Sequence, residues 1–260
     1  MNILISNDDG ISAKGMMVLT QALAEIPGNN VYVWGPDGQR SATGHGITTS
    51  KPITMSEVKD YPYATMAFKT SGTPADCVKS GIAIMKKLYD VDIDIIFSGI
   101  NHGPNIGTDV FYSGTIAAAA EGVFNGVPGV AFSLGTHTPT DEQLENCATL
   151  IKEVFEKAVP KINKDTVLNV NFPDVEPSQI KGIKVVKLGP REYDEAYDIR
   201  VSPSGQNYFW YKGDYKYYTD LPEDLDAMAT QDGYVTITPL RFEVTDFDLL
   251  DAMESLDLKY

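Results

Sequence analysis

Up to about residue 173 the chain alternates short apolar runs with longer segments of helical period, and this alternation narrows the fold more than any other feature. The run 2–6 stops abruptly at Asn7, Asp8, Asp9 and Gly10, which reads as a buried strand ending in a tight turn. Residues 12–26 then place apolar groups at helical spacing, with Ser12 as the expected cap. Pro27-Gly28-Asn29 breaks the chain, and 31–34 reads as a second strand. A β–turn–α–β opening predicts a parallel sheet with a right-handed crossover. The pattern continues with helices at 75–88, 113–124 and 141–159 and strands at 93–98, 127–133 and 167–171. The expectation is an α/β fold: a doubly wound, mostly parallel sheet of Rossmann-like type, in a single domain over 1–260.

The composition changes beyond that core. Residues 191–222 hold nine of the 26 aromatic residues, where an even spread would place about three. Turn signals at Ser202-Pro203-Ser204-Gly205 and Lys212-Gly213-Asp214 predict a long β-hairpin here. An aromatic hairpin either folds over its own core or forms an oligomer contact. A short helix, a strand at 234–238 and an acidic terminal helix are expected to close the chain.

Charge excludes several classes of function. Lys and Arg total 21 against 36 Asp and Glu, a net charge of −15. Such a chain is a poor non-specific binder of nucleic acid polymers, which need a basic face, and a poor match for an anionic membrane. The most apolar long window, 115–134, is interrupted by Glu121, Asn125 and Pro128, so no membrane span is expected. Two cysteines, Cys77 and Cys147, make neither a disulfide framework nor a zinc motif. A cytoplasmic protein is the expectation, since the first residues lack the basic and apolar regions of a signal peptide.

Sites in open α/β sheets form beyond the carboxyl ends of strands. There the sequence places Asn7, Asp8 and Asp9, then Gln39, Arg40 and Ser41, then Asn101, His102 and Asn105. Adjacent carboxylates such as Asp8 and Asp9 repel unless a cation lies between them, and nearby Ser41 and Asn101 oxygens suit Mg²⁺, Mn²⁺ or Ca²⁺. Asn7-Asp8-Asp9-Gly10 also fits an ordinary polar turn with its Asp side chains capping the helix. The stretch 98–122 is rich in glycine between a buried strand and a helix that begins at Ser113-Gly114-Thr115. Backbone N–H groups there, with the Ser113 and Thr115 hydroxyls, are expected to hold an anion. Gly44-His45-Gly46 is no dinucleotide fingerprint, and His45 and His137 read as loop residues. The chain contains no P-loop, no GxSxG elbow and no HExxH motif.

Taken in order, these stretches resemble the SurE family of survival proteins. The resemblance is carried by Asn7-Asp8-Asp9-Gly10, Gln39-Arg40-Ser41, Ser71 to Val78, Ser98-Gly99-Ile100-Asn101, Asn105, Tyr112-Ser113-Gly114-Thr115, Leu168 to Pro173 and Gly233-Tyr234-Val235. It implies a metal-dependent phosphatase acting on nucleoside 5′- and 3′-monophosphates and on short polyphosphate. It also implies one divalent ion, Mg²⁺ or Mn²⁺ before Ca²⁺, held by Asp8, Asp9, Ser41 and Asn101, and a homodimer or homotetramer built through the C-terminal extension. Asp8 and Asp9 are then the catalytic carboxylates. Asn105, Ser113, Gly114 and Thr115 are the expected phosphate-binding residues. Attack by water and an aspartyl-phosphate route both stay open at this point.

Three rival readings are weaker. A haloacid-dehalogenase-like phosphatase needs a DxD pattern where this chain has adjacent aspartates. A receiver module is far shorter and needs a lysine where this chain has Leu134-Gly135-Thr136. A non-enzymatic sensor of metal and nucleotide would keep the site and lack turnover.

Overall fold

The computed structural model describes residues 1–194, 197–254 and 256. The parts of the expected hairpin segment at 195–196, and of the expected domain and terminal helix at 255 and 257–260, lie outside the described residues. The elements run β1 (Asn2–Ser6), α1 (Lys14–Ala24), β2 (Asn30–Pro36), β3 (Met55–Glu57), β4 (Met66–Thr70), α2 (Pro74–Tyr89) and β5 (Ile95–His102). After a 3₁₀ turn at Gly107–Phe111 come α3 (Gly114–Phe124), β6 (Gly129–Leu134), α4 (Asp141–Lys157), β7 (Val167–Phe172) and β8 (Ile183–Val185). The chain ends with β9 (Tyr197–Val201), β10 (Asn207–Tyr211), α5 (Asp226–Gln231), β11 (Val235–Leu240) and α6 (Phe247–Glu254).

Nine strands form one sheet in the order β3-β4-β2-β1-β5-β6-β7-β11-β8. The centre is parallel throughout, and antiparallel pairs occur at β3–β4 and β7–β11. The chain builds outward from β1 through β2 to β4, then returns to lay β5 on the other side of β1. That reversal opens a crevice beyond the carboxyl ends of β1 and β5, the standard place for a ligand in such sheets. Helices α1 and α4 pack together, as do α2 and α3. The core strands are buried on both sides, with Ile3, Leu4, Ile5, Ile95, Ile96 and Phe97 fully buried.

Local chemistry explains most boundaries. Thr73 caps α2 through a reciprocal box with Asp76, and Pro74 occupies the first turn. Thr140 and Gln143 do the same for α4. Ser12 does not cap α1. The backbone N–H of Ala13 bonds the Gly10 carbonyl at 3.0 Å, so Ser12 lies within the turn and the helix starts after Ala13. Strands β3, β4 and β8 are short and fall outside the expected pattern. Both thiols are buried, and burial pushes each up to about 12, so Cys77 and Cys147 are packing residues.

The expected hairpin is the separate two-stranded sheet β9–β10, shorter than the aromatic segment that announced it. Among the described residues nothing covers Ile199, Phe209 or Trp210, which are all exposed. Among the described residues, no helix is long and apolar enough to cross a membrane.

Candidate functional site

The turn after β1 is organised by Asn7. Its Nδ2 donates to the Gly10 carbonyl at 3.0 Å, and the Gly10 N–H donates back to Asn7 Oδ1 at 3.1 Å. This closure leaves Asp8 and Asp9 free of turn duty, and neither caps α1. Both line a cavity of about 1070 Å³ in the crevice between the two halves of the sheet. The sequence alone could not separate a polar turn from a ligand pair; here Asn7 makes the turn and the aspartates face the cavity.

Asp8 is 6% exposed. Its Oδ1 accepts the Thr115 hydroxyl at 2.6 Å. Burial drives its pKa up to about 6, against the pull of the Thr115 hydrogen bond, and the neighbouring Asp9 charge adds to the rise. Asp9 is more open, and its Oδ2 accepts the His102 N–H at 3.4 Å. A buried carboxylate held against a second one is a poor arrangement for a protein without a cation. It becomes favourable once a cation neutralises the pair.

Asn101 reaches the crevice through a bulge in β5. The pairing with β6 shifts between Ser98 and Asn101, which gives β5 an extra residue. Gly99 makes the bulge with φ of +124°, and a Cβ there would fall 2.3 Å from the Phe132 carbonyl oxygen. Asn101 Nδ2 donates to the Gly103 carbonyl at 2.8 Å, so its Oδ1 is the atom left to accept or ligate. Ser41 lies on the loop after β2, which is tied to the first turn by the Arg40 N–H on the Asp8 carbonyl at 2.6 Å. Arg40 itself pairs with Asp37 at 2.7 Å rather than facing the cavity.

Asn105 is positioned from below by polar side chains on core strands. Its N–H donates to Asn171 Oδ1 at 2.8 Å, and its carbonyl accepts Asn169 Nδ2 at 2.7 Å and Asn171 Nδ2 at 3.1 Å. Its own Nδ2 donates to Ser133 Oγ at 2.7 Å. Ser113 is the N-cap of α3, accepting from the Ile116 N–H at 3.1 Å, which leaves its O–H to donate.

Asp8, Asp9, Ser41, Asn101, Asn105 and Ser113 thus all line one cavity. Gly114 and Thr115 do not. Both are buried, and both serve Asp8: Thr115 through its hydroxyl, Gly114 by allowing contact. A Cβ on Gly114 would lie 2.8 Å from Asp8 Cβ and 3.0 Å from Pro74 Cγ. The hydroxyl expected to meet a ligand therefore meets an aspartate instead.

The donor set fits a hard divalent cation. Two carboxylates, a hydroxyl and an amide oxygen are all oxygen ligands, the preference of Mg²⁺, Mn²⁺ and Ca²⁺. Among the described residues no group of three or more His, Cys, Asp or Glu converges, so neutral oxygens must complete any such site.

The same cavity has a second wall that sequence reading missed. Asp109 accepts the Tyr193 hydroxyl at 2.5 Å and Arg191 Nε at 3.2 Å. Burial raises the Asp109 pKa although both partners pull it down. The Arg191 guanidinium lies 4.1 Å from the Tyr215 ring centre. His137, expected to be a plain loop residue, also lines the cavity, with Nδ1 2.8 Å from the His102 carbonyl oxygen. Asp109 lies 82 residues from Arg191 and 84 from Tyr193, and no local motif marks them.

Residues 3–195 match the family described as survival protein SurE. A protein named 5′-nucleotidase SurE from Pelotomaculum thermopropionicum is 42% identical over 257 residues, covering 98% of this chain and 95% of its own. Another of that name from Trichormus variabilis is 40% identical over 266 residues, covering 98% of each chain. The crystal structure of a SurE protein from Aquifex aeolicus superposes with a TM-score of 0.80 at 33% identity, covering 98% of both chains. Matched over most of its length in sequence and in fold, the chain belongs to the SurE family.

Proposed function

We propose that the protein is a divalent-metal-dependent phosphatase that releases phosphate from nucleoside monophosphates. The observation that carries this reading is the convergence of Asp8, Asp9, Ser41, Asn101, Asn105 and Ser113 on one cavity at the crevice of the sheet. The relatives named 5′-nucleotidase SurE support the nucleotide as substrate. Asp8, Asp9, Ser41 and Asn101 would hold one Mg²⁺ or Mn²⁺. When bound, that ion supplies positive charge for the phosphoryl oxygens and acidifies a water.

The chain's own residues do the rest. Asp8, fixed by Thr115, keeps one carboxylate oxygen in a set direction. Asp9, the more open of the two, orients the attacking water and takes its proton. The Ser113 hydroxyl and the Asn105 amide hold the remaining phosphoryl oxygens as charge develops on them. These residues grip only the phosphoryl group. The same site then accepts 5′- and 3′-monophosphates and the end of a short polyphosphate. The aromatic wall of Tyr112, Tyr193 and Tyr211 gives the nucleoside a surface to stack on. The exposed β9–β10 hairpin serves a homodimer or homotetramer.

The test is phosphate release from AMP, GMP and their 3′ isomers with Mg²⁺, Mn²⁺ or EDTA. Metal-dependent release that EDTA abolishes, and that Asp8→Asn removes, is the expected result. Nucleotide binding without release under any metal would replace this reading with that of a sensor.

A further inference from the structure

Helix α3 meets two parts of the proposed metal site at once. At its first turn Thr115 holds Asp8. Six residues on, Glu121 holds the loop that carries Ser41. A helix rises about 1.5 Å per residue, so the two grips lie about 9 Å apart on one rigid rod.

Glu121 is a buried charge, 2% exposed, that plays no part in the cavity. His45 Nε2 lies 2.7 Å from its Oε2, Lys79 Nζ lies 2.7 Å from its Oε1, and Asn125 Nδ2 donates to Oε1 at 2.9 Å. Burial works against the charge, but the bonds from His45, Lys79 and Asn125 outweigh it and hold the carboxyl below its ordinary range. The carboxylate is therefore an acceptor, and the His45 ring nitrogen facing it carries the hydrogen. The His45 ring also stacks on Phe124 of the same helix, with centres 5.0 Å apart.

The loop needs this hold. Residues 39–54 contain no helix or strand, and Ser41, Ala42 and Thr43 are all exposed. Before Ser41 the loop is tied by the Arg40 N–H to the Asp8 carbonyl. After it, the Gly44 N–H bonds the Tyr112 carbonyl at 3.0 Å, and Thr73 donates to the Gly46 carbonyl at 2.6 Å. His45 lies between these two ties and supplies the side-chain bond to a charged partner.

The geometry points to His45 as a positioning residue: by clamping the Ser41 loop to Glu121 of α3, it sets Ser41 against Asp8 and Asp9. This rests on the assignment of Ser41 as a metal ligand. Of its three partners only His45 belongs to the loop, and a buried ion pair replaced by apolar contact is often as stable, so stability alone does not account for a carboxylate that bonds the loop histidine.

The probe is Mn²⁺ alone, titrated calorimetrically without nucleotide, followed by kcat and KM for AMP at saturating Mn²⁺. His45→Leu is expected to weaken Mn²⁺ binding about tenfold, as loss of a ligand-orienting partner does. Its kcat should stay within about threefold of the parent once metal is saturating. His45→Gln, which can still donate to Glu121, should recover most of the affinity. Lys79→Met cuts the pairing at Glu121 Oε1 and leaves the His45 bond at Oε2; it should lower Tm and leave Mn²⁺ affinity unchanged. His45→Leu binding Mn²⁺ as the parent does would overturn the proposal. So would equal weakening by Lys79→Met, which would mark Glu121 as a general stabiliser. If the parent protein binds no Mn²⁺, the metal assignment itself fails. If Ser41→Ala binds as tightly as the parent, Ser41 is no ligand and the clamp has nothing to position.

Discussion

The Thr115 hydroxyl is bonded to Asp8 Oδ1 at 2.6 Å, so the first turn of α3 presents its side chain to an aspartate of β1's turn and not to a ligand. A helix N-terminus favours a nearby negative charge. In this fold that charge is already supplied by the protein. Thr115 is fully buried, so replacing it by the isosteric Val removes one hydrogen bond without opening a cavity. A hydrogen bond to a charged group contributes about 1.5–3 kcal/mol, which is about ten- to a hundredfold in rate if it is felt in the transition state. Thr115→Val should lower kcat for AMP by that factor, and Thr115→Ser should retain most of it. Unchanged turnover in Thr115→Val would show that Asp8 needs no orientation.

Gly114 tests the same contact by bulk. A methyl group there would press on Asp8 Cβ at 2.8 Å and on Pro74 Cγ at 3.0 Å. Neither neighbour is a flexible chain end. Gly114→Ala should cost about 1–3 kcal/mol of stability, the usual range for overpacking, and should depress activity further by displacing Asp8. Chemical denaturation and AMP turnover on the same sample measure both. A variant with full stability would mean that α3 can shift away from β1.

The α/β class, the parallel core and the strand-end location of the site were all legible, because apolar periodicity reports burial directly. Asp8 and Asp9 were visible as a pair, since two adjacent carboxylates at a strand end demand an explanation. What escaped was set by contacts distant in sequence. Nothing local tells that Thr115 would be turned to Asp8, 107 residues away. Nothing local tells that Arg191 would bond Asp109 across 82 residues. Strand β4, Met66–Thr70, was missed because five residues with an exposed Lys69 carry little periodic signal. Glu121 read only as a break in an apolar window, while in the folded chain it is a buried acceptor with three partners.

Asp76 makes stability depend on pH. Its carboxylate accepts the Thr48 N–H at 3.0 Å and the Thr73 N–H at 3.0 Å, joining the Ser41 loop to the cap of α2. Burial opposes the charge, but these bonds prevail and its pKa falls below the ordinary value of 3.8. A depressed carboxylate contributes stability that is fully present above its unfolded pKa and is lost as pH falls through the folded one. Asp76→Asn should therefore destabilise the protein at pH 7 by about 1–2 kcal/mol, in the range for a lost cap. The gap from the parent should close as pH drops below about 4. Urea denaturation at pH 7, 5 and 3 reads it; a gap that stays constant with pH would assign the loss to packing alone.

The hairpin offers the last test. Cross-strand pairing sets Phe209 opposite Ile199 and Tyr211 opposite Tyr197, so all four share one face. Ile199 is 72% and Phe209 67% exposed. A two-stranded hairpin is marginal alone, and a contiguous exposed apolar face is the kind of surface that protein partners cover. The other face sets Trp210 opposite Asp198 and Tyr208 opposite Arg200, and there the Asp198–Arg200 ion pair sits between the two aromatics and water. If a second copy covers the apolar face, an Asp at position 199 places a charge opposite an identical charge or an apolar partner, and both are unfavourable. If the parent is the proposed oligomer, Ile199→Asp with Phe209→Ser should therefore turn it into a monomer in light scattering, with Mn²⁺ binding preserved because no residue of the proposed metal site lies on the hairpin. A monomeric parent would refute the proposed oligomer, and a variant that keeps an oligomeric parent's mass would place the contact elsewhere, with α6 and its exposed Phe247, Leu249 and Met253 the next surface to test.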